Sequence, residues 1–379
     1  MFHYFDNAAT TQVRPEAAQA AVEAMTQEWG NPSSVYAFGS QAAKLVKGWR
    51  ADVAGALGCL PEEVFFTSCG TESDNWAIRM GVELNRRKGK HIITTAIEHA
   101  AVLETCRELE RQGYEVTYLA PDHQARISPQ QLEEALRPDT VLVTMMLVNN
   151  ELGTILPVKE AARAIKRSGC SALLHCDAVQ GFLKVPFTPK ELGADLLSIS
   201  GHKIHAPKGI GALYVKKGLK IQPFIRGGGQ ESGLRSGTEA TGQIAALAVA
   251  ARLGKETMQA DLAHMADLRE ETARRLQQQV PGLKIISPEG APHILAVTMP
   301  GYKSEVVVRY LSDRGVYLSS GSACHKGKPS HVFAALKLPK PELDGALRIS
   351  FSADTSSEDV DTLVEAMSCA QKELFTSLS

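Results

Sequence analysis

Up to about residue 242 the apolar and polar positions alternate between two rhythms. Short runs that are apolar or β-branched almost throughout, at 64–68, 91–95, 115–120, 140–148, 172–177, 196–201 and 211–215, read as strands. Between them, stretches with apolar residues every three or four positions, at 74–87, 100–112, 129–136 and 158–168, read as amphipathic helices. A strand with no polar face belongs in a sheet covered on both sides, and strands separated by helices predict parallel neighbours. The expectation is an α/β unit on a largely parallel sheet. After Gly242 the rhythm changes to one helical stretch at 243–279, crossing a weak point at Gly254, followed by short strands at 294–299, 316–318 and 347–351 and helices at 304–314 and 357–372. That pattern predicts a second, smaller α+β unit, with the boundary inside the long helix near 250–260.

Charge narrows the partners. Lysine and arginine total 41 and aspartate and glutamate 42, a formal net charge of −1. No broad basic field is present, so neither nucleic acid nor an anionic membrane is an expected partner. At 44% hydrophobic and 22% charged residues the composition is that of a globular protein. The seven cysteines (59, 69, 106, 170, 176, 324 and 369) include no CxxC pair. That excludes a zinc ribbon and a thioredoxin-like redox pair, predicts no metal site, and points to a reducing cytoplasm. The amino terminus has no basic region followed by an apolar run. The longest apolar stretch, at 141–148, is far below the ~20 residues a membrane span requires.

Eight positions or clusters carry candidate chemistry. Lys203 follows a predicted strand between His202 and His205, ahead of a Gly/Pro turn; burial and neighbouring cations there would lower its pKa and make a nucleophile, against the alternative of a solvated basic turn. Asp177 ends the 172–177 strand, where a carboxylate faces the crevice of an open α/β sheet and can hold a heterocyclic nitrogen protonated, or can simply cap a helix. Gly70 and Thr71 open a helix directly after a strand, a geometry for phosphate that matches no nucleotide-loop motif. His99 suits stacking on a flat cofactor and proton transfer near neutrality; Asn149 and Asn150 end another strand with amides toward a ligand or a turn. The segment from Arg226 to Glu239 holds five glycines among arginine and hydroxyl groups, suited to anions or to plain flexibility. Cys324 sits among Gly, Ser and Ala with His325, Lys326 and Lys328 following, a setting that favours a reactive thiolate. Downstream, Arg348 suits a bidentate grip on a substrate carboxylate or a surface ion pair.

In order and spacing these residues resemble the cysteine desulfurases, pyridoxal-phosphate enzymes of the class-V aminotransferase-like group with an SSGSAC-type loop. The resemblance runs through Phe5-Asp-Asn-Ala-Ala-Thr-Thr11, Gly30-Asn-Pro-Ser-Ser34, Gly70-Thr-Glu72, Glu98-His99 and Asn149-Asn-Glu-Leu-Gly153. It continues through His175-Cys-Asp177, Gly201-His-Lys203, Leu234-Arg-Ser-Gly-Thr238 and Ser320-Gly-Ser-Ala-Cys324. It implies a fold type I pyridoxal-phosphate transferase with a mainly parallel seven-stranded sheet. The large cofactor-binding domain would span 13–255, and 1–12 with 256–379 would form the small domain carrying the cysteine loop. It also implies that Lys203 carries the cofactor as an internal aldimine, Asp177 pairs with the pyridinium, Gln180 with the ring hydroxyl, and His99 stacks over the ring. Gly70, Thr71, Ser200 and His202 would hold the phosphate, joined by Thr238 from the other subunit of a homodimer. Asn150 and Arg348 would bind the substrate carboxylate, and Cys324 would accept sulfur as a persulfide while L-cysteine becomes L-alanine. The sulfur would pass to an acceptor protein or a small-molecule thiol. Selenocysteine lyase, a carbon–sulfur lyase independent of Cys324, and a catalytically silent binding partner are the competing readings. Three departures are visible: the segment after Cys324 is shorter and more basic than in such relatives, the chain ends at Ser379 soon after the last predicted helix, and Ser232 stands where they often carry arginine. The first two lead us to expect a partner other than an iron–sulfur scaffold.

Overall fold

The computed structural model describes residues 2–287, 289–320 and 330–376. The chain starts with β1 (His3–Tyr4), α1 (Pro15–Thr26) and α2 (Ala37–Leu57), and α2 stops at Gly58, whose φ of 76° is left-handed. An alternation follows: β2 (Val64–Thr67), α3 (Gly70–Asn85), β3 (His91–Thr95), α4 (Ala100–Arg111), β4 (Glu115–Leu119), α5 (Pro129–Ala135), β5 (Thr140–Met146) and α6 (Val158–Ser168). It continues with β6 (Leu173–Asp177), α7 (Pro189–Leu192), β7 (Leu196–Ser200) and β8 (Gly211–Val215). Strands β2 to β8 form one seven-stranded sheet in the order β2-β8-β7-β6-β5-β3-β4. Every residue of β3, β5, β7 and β8 is buried, which is why these runs show no polar alternation. The pairs among β3, β4, β5, β6 and β7 are parallel, as expected, while β8 runs antiparallel to both β2 and β7. Since β2 and β7 both oppose β8, β2 points the same way as the parallel strands. The carboxyl ends of β2, β3, β5, β6 and β7 therefore open onto one edge of the sheet.

The long helix α8 (Thr241–Gln279) is continuous. Gly254, read as a weak point, is a close approach instead: a Cβ there would stand 2.8 Å from Leu183 Cδ1. The first half of α8, from Ile244 to Ala251, packs into the core of the large sheet; Met265, Leu268 and Leu276 enter a separate core. The remainder comprises β9 (Lys284–Ile285), β10 (Ile294–Thr298), α9 (Ser304–Ser312), β11 (Val316–Tyr317), α10 (His331–Ala335), α11 (Lys340–Asp344), β12 (Ala346–Ser350) and α12 (Ser357–Glu373). An antiparallel sheet β12-β10-β9 and the parallel pair β1–β11 result. Phe5 meets Phe351 edge-on, ring centres 6.0 Å apart, inside the second core, whereas Ala8 already belongs to the first. Residues 5–8 thus cross from one core to the other. No helix among the described residues is long and apolar enough to cross a membrane.

Candidate active site

Where those strand ends meet the crossing segment, a cavity of about 400 Å³ opens. Ten of the residues singled out in the sequence line it: Gly70, Thr71, His99, Asn150, Asp177, Gln180, Ser200, His202, Lys203 and Arg348. They come from the ends of β2, β3, β5, β6 and β7 and, for Arg348, from β12. Thr238 is exposed and is not among the lining residues. Cys324 lies outside the described residues.

Lys203 follows β7 at a tight turn, and its Nζ donates to the carbonyls of Ala8 and Ala9, each at 2.7 Å. Burial, reinforced by the Arg348 guanidinium, lowers its pKa from 10.5 to about 8. A substantial fraction of neutral amine is then present near neutrality, as a nucleophile requires.

Asp177 ends β6 with 5% of its surface exposed, and one carboxylate oxygen accepts the Val179 N–H at 2.9 Å. Burial raises its pKa, opposed by His99 and Lys203. Two further buried carboxyls stand close by. Asp74, on α3, has one oxygen without a hydrogen-bond partner, 3.6 Å from His175 Nε2; burial and the Asp177 charge push it well above the usual range. Glu98 accepts from the Met146 N–H with both oxygens (3.0 and 2.9 Å) and from the Thr95 hydroxyl, and burial pushes it up to about 8. Behind Asp177, His175 is held between Thr144 Oγ1 (2.8 Å) and Ser198 Oγ (3.0 Å), and burial lowers it to about 3, so it stays neutral. A cation placed in this end of the cavity would find carboxyl groups lacking enough counter-charge.

His99 caps α4: its Nδ1 accepts the Ala101 N–H at 3.2 Å, which leaves the ring proton on Nε2. Burial lowers its pKa, so the imidazole is neutral. The same cavity also has an anion-binding feature. The amino terminus of α3 points its free N–H groups at Gly70 and Thr71, and the Ser200 hydroxyl is buried with no partner. A Cβ on Gly70 would lie 2.7 Å from Val179 Cγ2, so only glycine keeps this wall open. His202, bonded through Nδ1 to Thr10 Oγ1 at 3.3 Å, is lowered by burial to about 4. A flat phosphorylated heterocycle with a basic nitrogen fits this donor set: helix amides and an orphaned hydroxyl for the phosphate, a carboxylate for the nitrogen, and a lysine amine in the same cavity.

The remaining wall holds Arg348, which is 4% exposed. It donates through Nη1 to the Asn150 carbonyl (2.9 Å) and through Nη2 to Asp6 Oδ1 (2.6 Å), while its Nε is buried without a partner. Beside it Glu151, 4% exposed, keeps one oxygen unpaired, and burial raises its pKa. His331, on α10, donates from Nε2 to the Glu98 carbonyl at 2.9 Å. The sequence motifs contain residues 5–11, Glu98 and Glu151 but suggest no role for them, and nothing in the sequence singles out Asp74 or His331. The motif was the available signal: Asp6, Ala8, Ala9 and Thr10 all contact site residues.

Comparison with known proteins agrees with this geometry. The aminotransferase class-V family profile matches residues 3–363. A cysteine desulfurase IscS from Methanosarcina thermophila is 42% identical over 371 residues, covering 96% of this chain and 90% of the relative. The solved structure of a NifS-like protein superposes with a TM-score of 0.93 at 37% identity, covering 99% of this chain and all of its own. A structure described as SspA in complex with cysteine has a TM-score of 0.80 at 36% identity, covering 93% of this chain and 100% of its own.

Proposed function

The chain belongs to the class-V aminotransferases, and within them to the cysteine desulfurases; from that membership we propose how its own residues divide the work. The observation that carries the reading is the convergence of Lys203, Asp177, His99 and Arg348 on one cavity that also takes in the anion-binding amino terminus of α3. Pyridoxal 5'-phosphate is the cofactor that this set of groups suits, and when bound it supplies an electron sink for the substrate's α-carbon. Lys203 would hold it covalently, Asp177 would keep its ring nitrogen protonated, and Gln180 would meet the ring hydroxyl. His99 would lie over the ring face. Thr71, Ser200, His202 and the Gly70 backbone would take the phosphate, with Thr238 added from the partner in a homodimer. The turn between α1 and α2 presents Trp29, Val35 and Tyr36, at 66%, 98% and 60% exposure, an apolar surface suited to cover by a second copy.

Toward the substrate, Arg348 and Asn150 would hold the carboxylate of L-cysteine. The Lys203 amine would accept the α-proton of the bound substrate, and its pKa of about 8 suits a base that must also return protons. The neutral His99, whose Nδ1 accepts the Ala101 N–H and whose proton is therefore on Nε2, would exchange a proton with the substrate thiol. The Cys324 thiolate would attack the substrate sulfur: an S–S bond forms, the C–S bond breaks with its electron pair passing to carbon, and protonation of that carbon gives L-alanine. The persulfide then carries sulfur to an acceptor protein or thiol. We further propose that 13–255 acts as the cofactor-holding domain and that 1–12 with 256–379 acts as the domain bearing the acceptor cysteine.

The test is stoichiometric. Purified protein supplied with pyridoxal phosphate and L-cysteine should yield alanine and transferable sulfur one to one, and Lys203→Ala should abolish both. Alanine formation that survives Lys203→Ala would overturn the assignment.

A further inference from the structure

Arg348 is an unusual guanidinium. It projects from β12, the middle of a strand with all five residues buried, and its own backbone is fixed by exchange with Ser319 (2.7 and 3.2 Å). Burying a guanidinium N–H without an acceptor is costly, and here Nε stands buried with none. The other two nitrogens are fully directed: Nη1 to the Asn150 carbonyl at 2.9 Å and Nη2 to Asp6 Oδ1 at 2.6 Å. Two acceptors on two nitrogens fix the plane of a guanidinium, and the unpaired N–H then has one direction.

Asp6 is itself held from several sides. It forms a parallel bridge with Ser350. Phe5 on its amino side donates to the Tyr317 carbonyl at 2.7 Å and accepts from the Ser350 N–H at 2.7 Å. On its carboxyl side the Asn7 side chain donates to the Ser350 carbonyl at 3.1 Å, and the Ala8 N–H donates to Ser350 Oγ at 2.9 Å. The Asp6 carbonyl accepts the Ala9 N–H at 2.9 Å. The carboxylate therefore sits on rigid backbone, and Arg348 is held against it.

From this arrangement, and resting on the functional reading above, we infer that Asp6 is a positioning residue of the substrate-carboxylate subsite: it clamps Arg348 through Nη2 and so fixes the plane in which the guanidinium meets the incoming α-carboxylate. Asp6 does not touch substrate. It also neutralises Arg348 before substrate arrives, so that a buried charge need not be tolerated alone. A second consequence concerns Lys203, whose amine is bonded to Ala8 and Ala9 on the same segment. One stretch of backbone thus sets the distance between the base that would take the substrate's α-proton and the group that would take its carboxylate.

The experiment uses the cofactor-loaded protein and two probes that differ only at the carboxyl group, L-alanine and L-alaninamide, with binding read from the change in cofactor absorbance. For Asp6→Asn the expected result is at least tenfold weaker binding of L-alanine, alaninamide binding within twofold of the unaltered protein, and a raised KM for L-cysteine with kcat within about threefold. In an Arg348→Gln background the same Asp6→Asn change should add nothing to the loss of alanine affinity, because Asp6 acts through Arg348. Asp6→Glu, which keeps the charge on a longer stem, should fall between; it carries the test alone if Asp6→Asn does not fold. Equal weakening of both probes would mean a merely structural role, and unchanged or tighter alanine binding would mean that Asp6 is idle or competes with substrate; each overturns the proposal. If the unaltered loaded protein neither binds alanine nor forms it from cysteine, the functional reading itself fails, and that is visible before any Asp6 variant is measured.

Discussion

The depressed pKa of Lys203 makes a prediction that can be followed quantitatively. A lowering from 10.5 to about 8 is a bias of about 3 kcal/mol toward the neutral amine, at about 1.4 kcal/mol per unit. At pH 7.5 about a quarter of the Lys203 amines are then free to attack a carbonyl, against about one in a thousand for an ordinary lysine. The sign follows from the cause: burial penalises the ammonium, and the nearby Arg348 cation adds to that penalty. Because the native state gives up this proton first, the associated destabilisation is complete below pH 8 and disappears as pH rises toward 10.5. The assay is the rate of loading of cofactor-stripped protein with pyridoxal phosphate, followed by visible absorbance across pH 6 to 10. The rate should climb about tenfold per pH unit and level off near pH 8. In Arg348→Gln the levelling should move to higher pH, since one of the two causes is gone; the ratio of the two profiles removes the cofactor's own titration. A rate that keeps climbing through pH 10, or a levelling in Arg348→Gln that moves downward, would refute the reasoning.

Two substitutions probe the ends of the cavity. Gly70→Ala places a methyl group against Val179 Cγ2 at 2.7 Å, at the amino terminus of the helix proposed to take the phosphate. Cofactor affinity, measured by equilibrium titration, should fall at least about tenfold, and the same crowding of Val179 should destabilise the cofactor-free protein by about 1–3 kcal/mol. Asp177→Asn removes the charge while keeping an oxygen for the Val179 N–H. Desulfuration should drop by roughly 10²- to 10³-fold, and the pH dependence of the bound cofactor's spectrum should shift, because its ring nitrogen loses the group that keeps it protonated.

How far the sequence could be read depended on where each residue finds its partners. Strands β3, β5 and β7 were legible because burial on both faces leaves an uninterrupted apolar run. The edge strand β4 was legible from its β-branched residues and flanking turns, although Glu115 is exposed. Helices α1 and α2 went unread: they are rich in alanine, and Trp29, Val35 and Tyr36 between them point outward, which blurs any apolar stripe. The seven-stranded, mainly parallel sheet was anticipated through family resemblance, but the reversal of β8 leaves no trace in a run that is apolar in either direction. At the site, residues at the ends of strands could be named because strand ends in an open α/β sheet face the ligand crevice. Asp6 could not. Its partner Arg348 is 342 positions away, and the two-residue strand that delivers it is too short to show a period. The buried oxygens of Asp74 and Glu151 were hidden for a related reason: on sequence each is an ordinary acidic residue in a helix or turn, and only tertiary packing strips it of solvent.

The central claim is that sulfur leaves L-cysteine and passes through Cys324. Peptide mass spectrometry under non-reducing conditions, after brief incubation of the loaded protein with L-cysteine, addresses it directly. The account predicts an added mass of one sulfur atom on the peptide bearing Cys324, equal in amount to the alanine formed in the first turnover. Alanine and free sulfide appearing at the same rate in the Cys324→Ala protein, with no modified cysteine, would contradict it.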